Sequence, residues 1–497
     1  MAFAPTPEQQ AAIDLVSGAD NTESVAVRAL AGTGKTTTLR MIAEANPEKR
    51  FTYLAFNRSI ADEAKATMPD NVSASTVHSL AARSVMTRQL WNRLNGTRRM
   101  KSSEIADVLG ISGPWLGQDN EGGTLELHPY FQAGLTMRAI RRFCQTADQV
   151  PGARHVPTVP GLDMPNEYTN NNDLAEWLEQ YVRKAWADIT DPQGRIRFEH
   201  SHYLKMWQLQ FPMIDTDVVL FDEAQDANPV MASIVAFQDC RKVYVGDQYQ
   251  QIYTWTGAVD AMQKIGAEHS ATLTNSFRFG PQVAGAGNRI LAMLGADVKL
   301  AGLGAEGHVA YTIAEQERSN PYQHAGDSHC YLARTNAAVI RRAMQELDAG
   351  GRPAVAGGTR DITSFAEAAV ALQSGRRTSH PELAAFDSWG AVQRYVDEDE
   401  LGSDLKLMVT VIDDFGARTI IDKLGRDVKE HQATMVVSTA HKAKGREWDH
   451  VTLASDFDKA QGTTEDADTA EEELRLLYVA ATRAQSTLDA SMVPILG

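Results

Sequence analysis

The most constraining feature of this 497-residue chain is the run ALAGTGKT at residues 29–36. It joins the apolar run SVAVRA to the helical run TTTLRMIAEA. A glycine-rich turn between a strand and a helix points backbone N–H groups at a phosphate. Lys35 then reaches the β- and γ-phosphate oxygens, and the Thr36 hydroxyl suits Mg²⁺. A chance Gly-Lys-Thr turn is the alternative, but the strand and helix around it favour a phosphate loop.

A pair of carboxylates follows a second apolar run. The sequence VVLF leads directly into DEAQD at residues 222–226. An aspartate at the end of a buried strand can hold Mg²⁺ through water, and the adjacent Glu223 can orient the water that attacks the γ-phosphate. Alone, such an acidic run is more often a solvated helix start. Behind four apolar residues, and paired with the phosphate loop, Asp222 and Glu223 indicate an ATP-hydrolysing site.

Short apolar runs rich in β-branched residues alternate with helical patterns along the chain, as parallel α/β sheets require. In the first of two sets, each run contains Gly, Asn or Asp at its end or is followed by one within three residues, where ligands meet the carboxyl edge of such a sheet. The first set is SVAVRA (24–29), FTYLAF (51–56), DVVLFDE (217–223) and KVYVGD (242–247), and the second is CYLAR (330–334), MVVST (435–439) and HVTLAS (450–455). The sequence therefore predicts two α/β lobes.

Polar, Gly- and Pro-marked sequence interrupts both sets and indicates inserted subdomains. The predicted first lobe comprises residues 1–82 and 205–275, and its insertion is 83–204. The predicted second lobe comprises residues 276–366 and 432–497, and its shorter insertion is 367–431.

The net charge of −16 argues at first sight against a polyanionic partner. However, the stretch from Arg83 to Lys101 carries six basic side chains and no acidic one. A solvated helix face and a contact with DNA explain this stretch equally well.

No apolar run approaches the roughly 18 residues that a membrane span needs, and the N-terminus has no signal-peptide pattern. The three cysteines, Cys144, Cys240 and Cys330, have neither zinc-site nor disulfide spacing. We therefore expect an intracellular protein without a membrane partner.

An ordered series of motifs continues after the acidic run. They are GDQYQQIYTWTGA (246–258), LTNSFRFG (273–280), ARTNA (333–337), STAHKAKGREWD (438–449) and LLYVAATRA (476–484). In this order they resemble the motifs of superfamily 1 helicases of the UvrD/Rep type. The runs YLAFNRSIADEA (53–64), STVHSLAARS (75–84) and YLKMWQL (203–209) add a resemblance to the helicase core of the F-box DNA helicases. No F-box-like segment precedes Gln9, so the ubiquitin-ligase role of those relatives is not expected here.

The resemblance implies two RecA-like domains of the P-loop NTPase class, with ATP and Mg²⁺ in the cleft between them. It implies that Gln9 reads the adenine, Gln250 senses the γ-phosphate, and Glu447 faces the ribose. Arg278 and Arg483 would reach the γ-phosphate as arginine fingers. The loop residues that would cradle the nucleotide are Ala31, Gly32, Thr33, Gly34, Lys35, Thr36 and Thr37. An ordinary helix start at Gln9 and structural ion pairs at the arginines are the alternatives.

The resemblance also implies a set of residues that contact DNA. Trp255 matches the aromatic residue on which a base stacks. The positions that would contact phosphates or sugars are Thr76, His78, Arg334, Asn336, Thr439 and His441. A capping or core role is the alternative for each, because Thr, Asn and His often end strands and turns.

Together these features predict an ATP-dependent DNA helicase that moves on single-stranded DNA, and the family resemblance implies that it moves 3′ to 5′. Its partners would be single-stranded and tailed duplex DNA, with recombination or replication proteins, and it would act as a monomer in the cytoplasm at the nucleoid, or in a nucleus. The alternatives are a translocase that strips recombinase filaments without unwinding, a 5′ to 3′ motor, and a catalytically silent DNA-binding regulator. Only fourteen residues follow Arg483, so a fused nuclease is not expected.

Overall fold

The computed structural model describes residues 4–18, 22–96, 100–118, 124–159, 162, 171–253, 266–319, 328–378, 380, 382–383, 386–398, 403–426, 428–457 and 467–497. The chain divides into two compact units. The first is Met1–Ala29 with Lys35–Leu273, and the second is Leu30–Gly34 with Thr274–Gly497. Among the described helices, none has the length and hydropathy to cross a membrane.

A six-stranded parallel sheet forms the centre of the first unit. The strand order is β3-β2-β6-β7-β1-β8. The strands are β1 (Val25–Ala29), β2 (Phe51–Ala55), β3 (Val72–Thr76), β6 (Val218–Phe221), β7 (Arg241–Gly246) and β8 (His269–Leu273). All four runs predicted as strands in this unit are confirmed. They form strands because β-branched and aromatic residues fill both buried faces of a parallel sheet.

Helices cover both faces of this sheet. They are α1 (Pro7–Gly18), α2 (Lys35–Glu44), α3 (Arg58–Thr67), α4 (Val77–Val85) and α10 (Pro229–Ala236). Because successive side chains of a strand point to opposite faces, Tyr53 and Leu220 enter one hydrophobic core while Leu54 and Phe221 enter the other. Because all six strands are parallel, their carboxyl ends lie at the same edge of the sheet.

The segment between β3 and β6 is mostly helical. Its elements are α5 (Arg88–Gly96), α6 (Ser102–Leu109), the hairpin β4 (Trp115–Gln118) with β5 (Thr124–Leu127), α7 (Pro129–Phe143), α8 (Asn171–Thr190) and α9 (His200–Gln208). Apolar side chains such as Leu135, Phe143, Leu178 and Val182 are buried between these helices.

The basic side chains between Arg83 and Lys101 do not form one exposed surface. Arg93 is 8% exposed, and its guanidinium donates to the carbonyl oxygens of Ile189, at 2.9 Å, Asp191 and Ile196. A solvated helix face and a DNA contact are therefore both wrong for Arg93, because its side chain ties α5 to the end of α8. Arg98 and Arg99 lie outside the described residues.

This arrangement predicts a selective effect on stability. Arg93→Met removes the guanidinium donor of the buried Ile189 and Ile196 carbonyls, at a cost of about 1 to 3 kcal/mol for each group that stays unsatisfied. We expect the apparent melting temperature, measured by differential scanning fluorimetry, to fall by several degrees. Arg88→Met, at an exposed position of the same helix, serves as the control and should melt as the wild type does. Equal melting temperatures for the two variants would contradict the structural role of Arg93.

The second unit contains another parallel sheet, with strand order β11-β16-β15-β12-β14-β13. Its strands, with the short pair β9 and β10, are β9 (Asn275–Ser276), β10 (Ala301–Gly302), β11 (His308–Ala310), β12 (His329–Ala333), β13 (Pro353–Val355), β14 (Met435–Thr439), β15 (Trp448–Leu453) and β16 (Ala484–Asp489). All three strand predictions for this unit are confirmed, and so is the predicted α/β fold class. The exact limits of the four predicted segments stay predictions.

Some helices of the second unit pack around this sheet, and others form the shorter insertion. They are α11 (Pro281–Met293), α12 (Ile313–Ser319), α13 (Asn336–Asp348), α14 (Arg360–Gln373), α15 (Trp389–Glu398), α16 (Ser403–Phe415), α17 (Ala417–Leu424), α18 (Ala440–Ala443) and α19 (Ala467–Ala481). Phe365, Trp389 and Ile420 belong to one hydrophobic core, so the insertion is a packed helical element.

Candidate functional site

The turn before α2 has the backbone that a phosphate loop needs. Gly32 and Gly34 have φ angles of 73° and 77°, which favour glycine because it lacks a Cβ atom. Within the second unit, the Phe277 N–H donates to the Gly32 carbonyl at 2.8 Å, and a Cβ on Gly32 would lie 2.5 Å from Ser276 Oγ. Both conformation and close packing therefore require glycine at position 32.

Lys35 and Glu223 form an ion pair at the carboxyl edge of the first sheet. Lys35 opens α2, Glu223 follows β6, and Lys35 Nζ lies 2.6 Å from Glu223 Oε1. Glu223 has φ 51° and ψ 41°, an uncommon left-handed conformation for a residue other than glycine. Strained backbone of this kind costs of order 1 to 3 kcal/mol and is concentrated at functional sites. The structure therefore brings together the two side chains that the sequence assigned to the phosphate and to the attacking water.

The electrostatics around this pair favour an additional cation. Burial raises the pKa of Asp222, with the neighbouring charge of Glu223 as the next cause. Burial also raises the pKa of Asp247 to about 6. Burial opposes the charge of Lys35, but Glu223, Asp222 and Asp247 outweigh it and raise the lysine pKa. Three carboxylates thus share one lysine, and a divalent cation would offset the excess negative charge.

The residues predicted to hold Mg²⁺ lie close together. The Tyr53 hydroxyl donates to Asp222 Oδ2 at 2.5 Å and also hydrogen bonds with the Thr36 side chain. The second carboxylate oxygen, Asp222 Oδ1, accepts the Glu223 N–H at 2.9 Å. Hydroxyl and carboxylate oxygens are the ligands that Mg²⁺ prefers, so Thr36 and Asp222 fit this ion.

Sequence reasoning missed the connecting role of Gln225, a fully buried residue of the acidic run. Its Nε2 donates to Glu223 Oε2, and its Oε1 accepts the Asp247 N–H at 3.1 Å. Asp247 Oδ2 in turn accepts Gln250 Nε2 at 2.6 Å. This hydrogen-bond network connects Glu223 to Gln250, the residue expected to sense the γ-phosphate. An uncharged amide within the acidic run DEAQD is the sequence signal that could have indicated this role of Gln225.

Gln9 is 3% exposed, and both ends of its amide are already engaged. Its Oε1 accepts the Thr6 N–H at 3.0 Å, and its Nε2 donates to Thr38 Oγ1 at 3.2 Å. The Gln9 N–H also donates to Thr6 Oγ1 at 3.2 Å, which completes a capping box at the start of α1. These contacts are those of an ordinary helix start, which was the alternative to an adenine contact. The adenine contact stays a prediction.

Arg278, Glu447 and Arg483 are the predicted nucleotide residues that follow the motifs of the second sheet, and they contact local partners. Arg278 Nε lies 2.6 Å from Glu447 Oε2, and Arg278 Nη1 donates to the Thr482 carbonyl at 3.0 Å. Arg483 is 2% exposed, and its Nε donates to the Val479 carbonyl at 2.9 Å. Both arginines therefore have a structural role within the second unit, as the alternative interpretation predicted. Their phosphate roles, and the ribose role of Glu447, stay predictions.

In the first unit, two predicted DNA contacts also have local roles. Thr76 caps α4, because its Oγ1 accepts the Ser79 N–H at 3.0 Å. His78 Nδ1 lies 3.3 Å from the Tyr203 hydroxyl. Burial lowers the pKa of His78 to about 4, so its ring is neutral at pH 7 and offers no cation to a phosphate.

In the second unit, Arg334 is paired with Glu473, whose two carboxylate oxygens lie 2.7 and 2.8 Å from Arg334 Nε. Thr439 caps α18, where His441 is the second residue. Asn336 opens α13 and lines a cavity of about 490 Å³ together with Lys442. These DNA roles stay predictions, and that of Trp255 lies outside the described residues.

A second cavity of about 490 Å³ lies beside Thr76 in the first unit. Arg58, Lys65 and Arg83 line it, and Trp91 on its wall is 43% exposed. Asp62 pairs with Lys65 at 2.7 Å and with Arg58 at 3.7 Å, whereas the lining residues include three basic side chains and no acidic one. A basic cavity with an aromatic wall, on a chain of net charge −16, suits the phosphates and bases of a nucleic acid strand.

Comparisons with known proteins place these motifs in two families. An AAA domain matches residues 9–256, and a UvrD-like helicase C-terminal domain matches residues 387–493. F-box DNA helicase protein 1 of Schizosaccharomyces pombe is 30% identical over 94% of this chain and 55% of its own length. F-box DNA helicase 1 of Gallus gallus is 27% identical over 93% of this chain and 47% of its own length. The chain therefore spans about half the length of these relatives.

Proposed function

The chain belongs to the UvrD-like family of superfamily 1 DNA helicases, and from that premise we propose that it hydrolyses ATP to move 3′ to 5′ along single-stranded DNA and to unwind duplex DNA. The observation that carries this proposal is the Lys35–Glu223 pair at 2.6 Å, next to buried Asp222 and directly after a phosphate loop. A catalytically silent regulator would have no need of this charged and strained arrangement.

The chemistry follows from the position of each side chain. Backbone N–H groups at the start of α2 and the Lys35 ammonium bind the ATP phosphates. Glu223 orients the attacking water and receives its proton, while Gln225 keeps the carboxylate in place through its Nε2. Mg²⁺, held by Thr36 and Asp222, would neutralise charge on the phosphates. Arg278 and Arg483 act as arginine fingers that stabilise the charge developing on the γ-phosphate.

The basic cavity beside Thr76 supports the proposal of a DNA track. Arg58, Lys65 and Arg83 contact backbone phosphates, and the exposed face of Trp91 stacks a base. Such contacts read no sequence, as a motor that steps along any strand requires. Phe56 is 38% exposed and stacks on Tyr253 at 5.6 Å between ring centroids, which adds aromatic surface to the same unit.

Charge removal in the cavity tests this track. For single strands the logarithm of affinity falls with the logarithm of salt concentration, with a slope of about −0.7 per neutralised phosphate. The double variant Lys65→Gln with Arg83→Gln should therefore flatten this slope by about 1.4, when DNA affinity is measured by fluorescence anisotropy at several salt concentrations. Basal ATP hydrolysis should stay within twofold of wild type.

Arg50→Gln is the matched control, because Arg50 precedes β2 and so lies at the opposite edge of the sheet. Its ion pairs with Asp215 and Asp217 are exposed, so their loss costs little stability. An unchanged slope in the double variant, or an equal change in Arg50→Gln, would exclude the cavity from the DNA path.

The biological setting follows from this activity. A single-strand motor of this family acts where DNA is exposed, at the nucleoid or in a nucleus, during repair, recombination or replication. Single-stranded and tailed duplex DNA are its substrates, recombination or replication proteins are its partners, and it works as a monomer. ATP hydrolysis assayed with and without single-stranded DNA tests the core of the proposal. Strong stimulation by DNA of any sequence supports it, and stronger stimulation by RNA at matched length and salt would contradict it.

A further inference from the structure

In the sequence, Tyr53 lies between the phosphate loop and the acidic run. It is the third residue of β2, its side chain is fully buried, and it pairs in register with Leu220, two residues before Asp222. The next peptide also joins the two strands, because the Asp222 N–H donates to the Leu54 carbonyl at 3.1 Å. Sheet geometry therefore fixes the ring close to the end of β6.

The hydroxyl of Tyr53 connects two side chains that come from different elements. It lies 2.5 Å from Asp222 Oδ2, after β6, and it hydrogen bonds with Thr36, on α2. An ordinary tyrosine loses its proton only at about pH 10, so the phenol is protonated at pH 7. With one proton, the hydroxyl donates to the carboxylate and accepts from the threonine.

Thr36 and Asp222 are the residues expected to hold Mg²⁺. Their oxygens must stand at a defined separation to bind one ion, because Mg²⁺ demands near-octahedral geometry. Partners that orient metal ligands matter nearly as much as the ligands themselves. We propose that Tyr53 is a positioning residue for Mg²⁺, and that its hydroxyl holds Thr36 and Asp222 in the arrangement that lets both oxygens serve the same ion. This inference rests on the proposed ATP hydrolysis.

The alternative is that Tyr53 only fills the core. Its ring belongs to the hydrophobic core on one face of the sheet, so packing alone could account for an aromatic residue there. The two roles are separable, because Tyr53→Phe keeps the ring and removes one oxygen atom. A packing role predicts an unchanged response to metal, whereas a positioning role predicts a selective loss.

The test compares Tyr53→Phe with Tyr244→Phe in the full chain. Tyr244 is 1% exposed and lies in β7 of the same sheet, but its ring belongs to the core on the opposite face. ADP affinity is measured by calorimetry with Mg²⁺ and with EDTA, and Mn²⁺ binding in the presence of ADP is measured by electron spin resonance. The Mg²⁺ concentration that half-saturates ATP hydrolysis is recorded in parallel.

We expect Tyr53→Phe to bind Mn²⁺ at least about tenfold more weakly and to need correspondingly more Mg²⁺ for hydrolysis, in line with losses at other orienting partners of metal ligands. ADP affinity in EDTA should match wild type, which also shows that the site is folded. Tyr244→Phe should match wild type in every measurement.

Two results would overturn the inference. Wild-type Mn²⁺ affinity in Tyr53→Phe would show that the hydroxyl does not position the metal ligands. An equal loss of ADP affinity in EDTA would show that it supports the whole site rather than the metal. If the wild-type chain hydrolyses no ATP, the proposed function fails instead, and the Mn²⁺ measurement still decides the role of Tyr53.

Discussion

Glu223→Gln is expected to lower DNA-stimulated ATP turnover by about 10³-fold, the middle of the range for a positioned general base. The glutamine amide has nearly the same shape as the carboxylate but cannot accept the proton of the attacking water. Its oxygen can still accept from Lys35, which Glu223 Oε1 meets at 2.6 Å, so the local packing is kept. Turnover is measured by phosphate release at saturating ATP and single-stranded DNA.

Lys35→Ala should abolish turnover as well, because the same ammonium binds the phosphates. It also leaves Asp222, Glu223 and Asp247 without their shared cation, so its melting temperature must be compared with that of Glu223→Gln. Single-strand affinity should stay within a few-fold of wild type in both variants. A Glu223→Gln protein that hydrolyses ATP at the wild-type rate would remove Glu223 from the catalytic site.

Arg483→Lys is expected to lower turnover by about 10³-fold or more, the lower end of the range for an arginine finger. Lysine keeps the charge but loses the planar fork that binds two phosphate oxygens at once. ATP affinity should change much less than turnover, because the finger acts mainly on the charge of the transition state. Single-turnover hydrolysis and fluorescent nucleotide binding separate the two effects.

Arg483→Lys is a better test than Arg483→Ala because the Arg483 side chain is buried. Its guanidinium donates to the carbonyls of Val479 and Arg446, at 2.9 and 3.3 Å, so Arg483→Ala would also lower stability. Arg278→Lys is the companion variant, in which the ion pair with Glu447 can persist. Normal turnover in Arg483→Lys, at a normal melting temperature, would leave only the structural role of this arginine.

The sequence predicted the two sheets because their strands carry unusually clear signals. Runs such as Val218–Phe221 are apolar on both faces, which is the mark of a buried parallel strand. The phosphate loop was equally predictable, because glycines at 32 and 34 satisfy a backbone requirement that few other residues meet. Strand β3 was missed because its residues alternate between small polar and apolar side chains.

Side-chain partners were much harder to predict. Arg93 stands in a basic stretch, yet its partners are carbonyls about 100 residues away in the chain. Arg334 pairs with Glu473, and Arg278 pairs with Glu447, a residue expected to face the ribose. Such pairs depend on the register of distant strands and on the packing of helices, which local sequence patterns do not encode.

Tyr53 illustrates the same limit within the candidate site. Its sequence context, FTYLAF, predicts a buried strand and gives no reason to separate this aromatic residue from Phe51 in the same strand. The hydroxyl gains its meaning from the alignment of β2 with β6, which brings it to 2.5 Å from Asp222. A residue that acts through another residue leaves no motif of its own.

Strand displacement decides whether the chain is an ATP-driven motor that moves 3′ to 5′ on single-stranded DNA. Three duplexes of equal length are compared, one with a 3′ single-stranded tail, one with a 5′ tail and one with blunt ends, each with and without ATP. We expect ATP-dependent separation of the 3′-tailed duplex, little separation of the other two, and none for Glu223→Gln. Preferential separation of the 5′-tailed duplex, or separation of none despite DNA-stimulated ATP hydrolysis, would contradict this expectation.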